Sequence, residues 1–199
     1  MKWLKPVVFL GALVPLVYYT WALFNDLLGA NPVEVITREA GEWALRFLWL
    51  TLLMTPLRRW GSWAWPLRLR RMLGLYAFFY ATVHLLLYLW LDKFFIGSEI
   101  LADIIKRPFI TVGMLAWLLL LPLALTSNQF MIRKLGKRWR QLHRSVYLIA
   151  GLAILHFFWL VKADLLQPLI YLGLLAVLMW TRLPQLFPHL TTKSPKSAG

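Results

Sequence analysis

The chain has no cysteine among its 199 residues. That excludes disulfides, thiolate metal sites, cysteine-ligated iron–sulfur clusters and thioether-attached haem. Acidic residues are few, 8 against 22 basic ones. There is no Gly-x-Gly-x-x-Gly turn and no Walker-type phosphate loop. Nor is any polar segment long enough to form a soluble dinucleotide-binding domain. Histidine is scarce as well, with 4 in the whole chain.

The chain is instead dominated by apolar residues, at 60% of the total, with a mean hydropathy of +0.64. Soluble domains sit nearer half apolar and interrupt their apolar runs often. Backbone groups in lipid must be paired within a helix or a closed barrel, and long runs without strict alternation select helices. The sequence therefore predicts an all-α, polytopic membrane bundle. Six spans are expected, at about Pro6–Leu23, Trp43–Leu57, Met72–Leu91, Phe109–Leu125, Ser145–Val161 and Pro168–Leu183. Lys2 and Lys5 before the first run resemble a signal peptide, but no small-x-small cleavage pattern follows, so an uncleaved first helix is expected.

Charge sets the orientation. With both termini in the cytoplasm, the cytoplasmic segments collect most of the Lys and Arg, including Arg58, Arg59, Arg68, Arg70, Arg71, Arg133, Lys134, Lys137, Arg138, Arg140 and Arg144. Arg38, Arg46, Lys93, Lys106, Arg107 and Lys162 fall outside, together with all the acidic residues. This is the positive-inside pattern of short loops, and it also suits contact with anionic lipid headgroups. Nucleic-acid binding would need basic residues on a water-facing surface with stacking aromatics beside them; here they fall in the gaps between apolar runs, where they look like topology signals. Tryptophans near the span ends, such as Trp3, Trp43, Trp60, Trp90 and Trp180, fit an interfacial belt.

The histidines carry the chemical signal. His84 lies eight residues before Asp92 in the third run, and His156 six before Lys162 in the fifth. Both runs travel outward, so at ~1.5 Å per residue the two side chains sit roughly 12 Å and 9 Å below the outer boundary. Two imidazoles at one depth on different helices can grip one haem iron from opposite faces. A structural imidazole bonding across the bundle is the plainer alternative for either alone. Zinc and proton-relay readings are disfavoured because the spans offer no buried carboxylate or thiolate. His143 precedes His156 by thirteen residues, about 19.5 Å along a helix, and faces within roughly 60° of it. It could serve a second haem near the cytoplasmic side or merely anchor the interface. Thirteen residues before His84 stands Arg71, a poor iron ligand, so Arg70 and Arg71 suit a propionate or phosphate instead. The basic loops could also receive an anionic cofactor or a donor protein. His189, in a Pro-rich tail, is expected to be structural or solvent-exposed. A haem-free membrane scaffold or assembly factor is the reading from a different class.

Several short stretches together are more specific than any one alone. Arg70-Arg71-Met72-Leu73-Gly74-Leu75, with His84 ten residues beyond Gly74, resembles the third-helix motif of the bacterial MsrQ family. So do Thr126-Ser127-Asn128-Gln129, Lys134-Leu135-Gly136-Lys137-Arg138-Trp139, Gln141-Leu142-His143, Tyr147-Leu148 and His156. Asn31-Pro32-Val33, Thr55-Pro56-Leu57, Arg107-Pro108, Thr111-Val112-Gly113 and Gln167-Pro168-Leu169-Ile170-Tyr171 match as well, so the likeness runs from about residue 3 to 185. The resemblance implies a six-span, b-haem subunit of the bacterial inner membrane within the ferric reductase-like superfamily, occupying 1–185, with a flexible tail over 186–199. It implies electron delivery to MsrP, a periplasmic molybdopterin enzyme that reduces methionine sulfoxide in oxidised proteins. The implied donors are the quinone pool or a cytosolic flavin reductase, with FMN as a family cofactor. The family's functional histidines match His84, His143 and His156. Relatives with two haems carry histidine where this chain has Arg71, which leaves the haem number at one or two.

Overall fold

The computed structural model describes residues 3–161 and 165–181. Lys162, His189, the tail over 186–199 and the C-terminal end of the sixth run lie outside them. Among the described residues the structure is helical throughout, with no strand. The helices are α1 (Leu4–Phe24), α2 (Pro32–Gly61), α3 (Trp65–Leu87), α4 (Gly97–Lys106), α5 (Pro108–Leu125), α6 (Gln129–Leu135), α7 (Lys137–His143), α8 (Val146–Leu160) and α9 (Leu166–Trp180). A π-helical turn, Tyr88–Asp92, prolongs α3.

Four of these are long and apolar enough to cross a bilayer: α1, α3 with its π turn, α5, and α7 running on into α8. The second run is longer than its apolar core suggests. Asn31 caps α2 by accepting from the Glu34 N–H, Pro32 occupies the first turn, and Glu34 lies where the helix dipole favours an anion. Residues 32–42, expected as part of a polar loop, are thus the first turns of α2, which stops only at Gly61 with Ser62 in the left-handed region. Likewise the outer loop from Asp92 to Arg107 contains a helix of its own, α4. The sixth run is a 15-residue helix, about 22 Å long and short for a bilayer.

The core gathers on the faces that α1, α2, α3, α5, α8 and α9 turn to one another, with Leu52, Ala77, Tyr80, Ile149 and Ala150 almost wholly enclosed. Phe47 stacks on both Tyr76 and Tyr80, at 5.4 and 5.3 Å between centroids. Large apolar side chains such as Val17, Leu118 and Val177 point outward and more than half exposed. A water-soluble bundle would bury them, whereas lipid solvates them. The protein is a multi-pass helical membrane protein.

Candidate metal centre

His84 projects from the C-terminal third of α3 and His156 from that of α8. Their rings meet at 6.1 Å between centroids, inclined at 79°. The matched depth read from the sequence is therefore realised as direct proximity. Each ring is fixed in the same way. The Nδ1–H of His84 donates to the carbonyl oxygen of Thr37 at 2.8 Å, and that of His156 to the carbonyl oxygen of Phe109 at 2.7 Å. Each accepting carbonyl stands 47 residues before its histidine, on α2 for one and α5 for the other.

One helical turn beyond each carbonyl stands a glycine. In a helix the side chain four residues on covers the carbonyl below it. At Gly41 no Cβ does so; one placed there would come within 3.0 Å of His84 Nδ1. At Gly113 it would come within 2.8 Å of His156 Nδ1. Of the two glycines, Gly113 is therefore required by a close approach, and at Gly41 a Cβ would crowd the ring. Neither they nor the two carbonyls were singled out from the sequence, although the repeated 47-residue spacing with a glycine one turn later was there to be found.

The donor set can be tested against a metal. With Nδ1 protonated and bonded away, each ring keeps its Nε2 lone pair free, the arrangement in which protein imidazoles bind metals. A metal-bound imidazole nitrogen lies about 2.0 Å from the ion, which puts two opposed ring centres roughly 6.3 Å apart. The observed 6.1 Å fits an iron held between the two rings. Among the described residues no three His, Asp or Glu side chains gather, so the donor set is a histidine pair. Two buried donors in the outer half of α2, Thr37 Oγ1 and Trp43 Nε1, find no partner and flank Gly41 in sequence. These features fit a haem that the two histidines would hold.

The expectation that the spans hold no buried carboxylate is corrected here. Glu42 is only 7% exposed, one residue from Gly41. Arg46, one turn on, donates to its Oε2 at 2.5 Å, reaches Glu39 at 3.6 Å and lies over the Trp43 ring at 4.7 Å. The pair offsets its own charge, which lets a glutamate sit at this depth. Glu39, Glu42 and Arg46, with Arg38, Phe157, Val161 and Gln167, line a cleft of about 270 Å³.

His143 is held apart from that pair at the end of α7. Its ring stacks on Trp139 at 3.9 Å, and its Nδ1–H donates to the Trp139 carbonyl at 3.1 Å. Its Nε2 lies 3.4 Å from Ser127 Oγ, whose own proton goes to the Leu123 carbonyl. Arg70, half-buried, is the cation whose charge reaches His143, while Arg71 is exposed. The structure thus pairs two of the five expected site residues, sets His143 and Arg70 together at the opposite end, and turns Arg71 to the surface.

Residues 40–154 match the family described as ferric reductase like transmembrane component. The chain is 55% identical to the protein-methionine-sulfoxide reductase heme-binding subunit MsrQ of Azospira oryzae, over 90% of this chain and 78% of that protein. It is 52% identical to MsrQ of Herminiimonas arsenicoxydans, over 90% and 84%. The chain belongs to the MsrQ family. A further MsrQ, from Xanthomonas oryzae pv. oryzae, is 48% identical over 98% of this chain and 92% of its own length. No solved structure matches the chain. The ferric reductase-like match ends two residues short of His156, while the alignments to MsrQ proteins extend over nine-tenths of the chain or more.

Proposed function

We propose that this protein is a haem-binding electron-transfer subunit of a methionine sulfoxide reductase, embedded in the bacterial inner membrane with both termini cytoplasmic. The observation that carries the reading is the His84–His156 pair, 6.1 Å apart, with each Nδ1 bonded to a backbone carbonyl opened by a glycine. The printed name of its relatives, heme-binding subunit of a protein-methionine-sulfoxide reductase, supports the same reading.

His84 and His156 would hold a b-type haem, and Gly41 and Gly113 would keep their rings on the carbonyls that fix the tautomer. A bound haem would supply a one-electron ferric–ferrous couple. Partial burial of both rings within the bundle would limit water at the nitrogens that hold the group. On the opposite side, His143, Arg70 and Arg71 would serve a second haem or an anionic cofactor such as FMN. The partner receiving electrons would be the periplasmic molybdopterin enzyme MsrP, and the donor the quinone pool or a cytosolic flavin reductase. Anionic lipids would contact the basic cytoplasmic end.

The test is a pyridine haemochrome assay on detergent-purified protein, with reduced-minus-oxidised spectra. One low-spin b haem per chain is expected at the His84–His156 site, and a second would assign His143 a ligand role. His84→Ala or His156→Ala should abolish the low-spin signal of that site and sulfoxide reductase activity in the presence of MsrP, with membrane insertion retained. Unchanged low-spin haem in His84→Ala would overturn the ligand assignment. Absence of haem from wild type grown haem-replete would favour the scaffold reading.

A further inference from the structure

The outer helix α4 is inside-out for a water-facing loop. Its one strong ionic contact points toward the bundle: Asp103 Oδ2 lies 2.8 Å from Lys93 Nζ, and both side chains are only 13% exposed. The Tyr88 hydroxyl donates to the same oxygen at 3.2 Å, and Arg107 approaches the other at 3.5 Å. Aliphatic side chains take the outward face instead, with Leu101 58% and Ile105 74% exposed. They are four residues apart and therefore on one side of the helix.

The segment feeding into α4 does the same. Phe94 and Phe95 both have positive φ, 46° and 57°, a conformation unfavourable for bulky residues. They are held there because the Phe94 N–H donates to the Trp90 carbonyl and the Phe95 N–H to that of Leu89, closing the π turn. The outcome is two phenylalanine rings turned outward at 72% and 58% exposure, one turn beyond the likewise exposed Trp90. In water such a surface would be a liability for a loop of this size. At a bilayer boundary it is favourable, because an amphipathic helix lies in the interface plane with its apolar face in the acyl region.

We infer that Phe94, Phe95, Leu101 and Ile105 form an interfacial foot that rests in the outer leaflet, with the Asp103–Lys93 contact fastening α4 across the ends of α3 and α5. The occupant is lipid rather than protein because the patch continues the exposed apolar surface of α3 at Trp90 and is itself made of aromatic and aliphatic groups. Its role is to fix how deep the outer ends of α3 and α5, and the histidines a few turns below, sit in the membrane.

The absence of native cysteine makes the test direct. Single variants Leu101→Cys, Ile105→Cys and, as a water-side reference, Glu99→Cys are labelled with a nitroxide in lipid nanodiscs. Collision rates are compared for oxygen, which partitions into lipid, and a neutral nickel chelate, which stays in water. Oxygen should dominate several-fold at Leu101 and Ile105, and the chelate at Glu99. Chelate dominance at Leu101 and Ile105 overturns the inference. So does low access to both reagents that appears only once a partner protein is added, because protein would then cover the face. If the helix variants lose the wild-type circular dichroism, Phe94→Cys, outside α4, carries the same comparison with the same two outcomes.

Discussion

At the scale of single residues, the site depends on two missing side chains as much as on two histidines. Gly113→Ala would bring a Cβ to 2.8 Å from His156 Nδ1, and Gly41→Ala one to 3.0 Å from His84 Nδ1. The His156 ring must then shift and the His84 ring is crowded, which strains the bond that fixes each tautomer; losing such a contact to a ligand lowers metal affinity by roughly 10–100-fold. Haem-to-protein ratios after purification should fall in both variants, and further in Gly113→Ala. Equal retention in both would mean that the rings adjust freely. The histidines were legible in the sequence because depth along a helix follows from counting residues. The glycines were not, because what makes them necessary is a histidine ring that packs from another helix onto the carbonyl one turn before each of them. Glu42 escaped for a related reason. A carboxylate normally marks the end of a span, and only the Arg46 guanidinium one turn later lets this one lie within the bundle.

At the scale of elements, the apolar runs located every long helix, while their ends were set by chemistry that hydropathy ignores: the Asn31 cap, the left-handed Ser62, and Gly136 with φ of 51° between α6 and α7. How α1 docks was invisible in the sequence. The Tyr80 hydroxyl, enclosed in the core, inserts into the backbone of α1, donating to the Ala12 carbonyl at 2.7 Å and accepting from the Leu16 N–H at 3.2 Å. Tyr76 adds a bond to the Phe9 carbonyl at 2.8 Å. Such an insertion opens the helical ladder beside Pro15 and leaves α1 dependent on α3. Tyr80→Phe should cost about 1–3 kcal/mol through the backbone groups left unpaired, seen as a lower thermal midpoint in detergent. An unchanged midpoint would show that Leu16 and Ala12 simply rejoin. The α4 anchor has a pH range set by its two charges, which face Asp92, Tyr88 and Arg107. The hydrogen bond to Lys93 holds Asp103 below the usual carboxylate range, so its contribution is complete above the unfolded value of about 3.9 and is lost as pH falls through the lower folded one. The bond to Asp103 holds Lys93 above its usual range, so its contribution is complete below about 10.4 and is lost only as pH rises beyond that. Hydrogen exchange in α4 should therefore stay slow across neutral pH, after correction for its intrinsic pH dependence, and quicken at the acid end. Protection lost already near pH 6 would mean that some other group holds the helix.

At the scale of the whole molecule, the fold sorts charge by end. The C-terminus of α2, the N-terminus of α3, and α6 with α7 bring Arg58, Arg59, Arg68, Arg133, Lys134 and Arg138 to one end, where Arg59 also donates to the Thr181 carbonyl after α9. The N-terminal turns of α2 together with α4 bring Glu34, Glu39, Glu99 and Asp103 to the other, and there the basic residues Arg46, Lys93 and Arg107 are within ion-pairing distance of carboxylates. Only the first end carries a large excess of positive charge. Each Lys or Arg near an anionic inner leaflet contributes about 1 kcal/mol, and translocating such a cluster is opposed. The folded arrangement therefore supports the same orientation as the loop count, and in that orientation the histidine pair would lie nearer the outer surface, where a periplasmic acceptor could be served. Lys134→Cys and Glu34→Cys, both at exposed positions, test this in spheroplasts with a membrane-impermeant maleimide. Glu34→Cys should label in intact spheroplasts and Lys134→Cys only after lysis. The reverse pattern would put the histidines on the cytoplasmic side, and a periplasmic partner would then have no electron source within reach. Orientation is thus the property of the whole molecule on which the proposed function depends most directly.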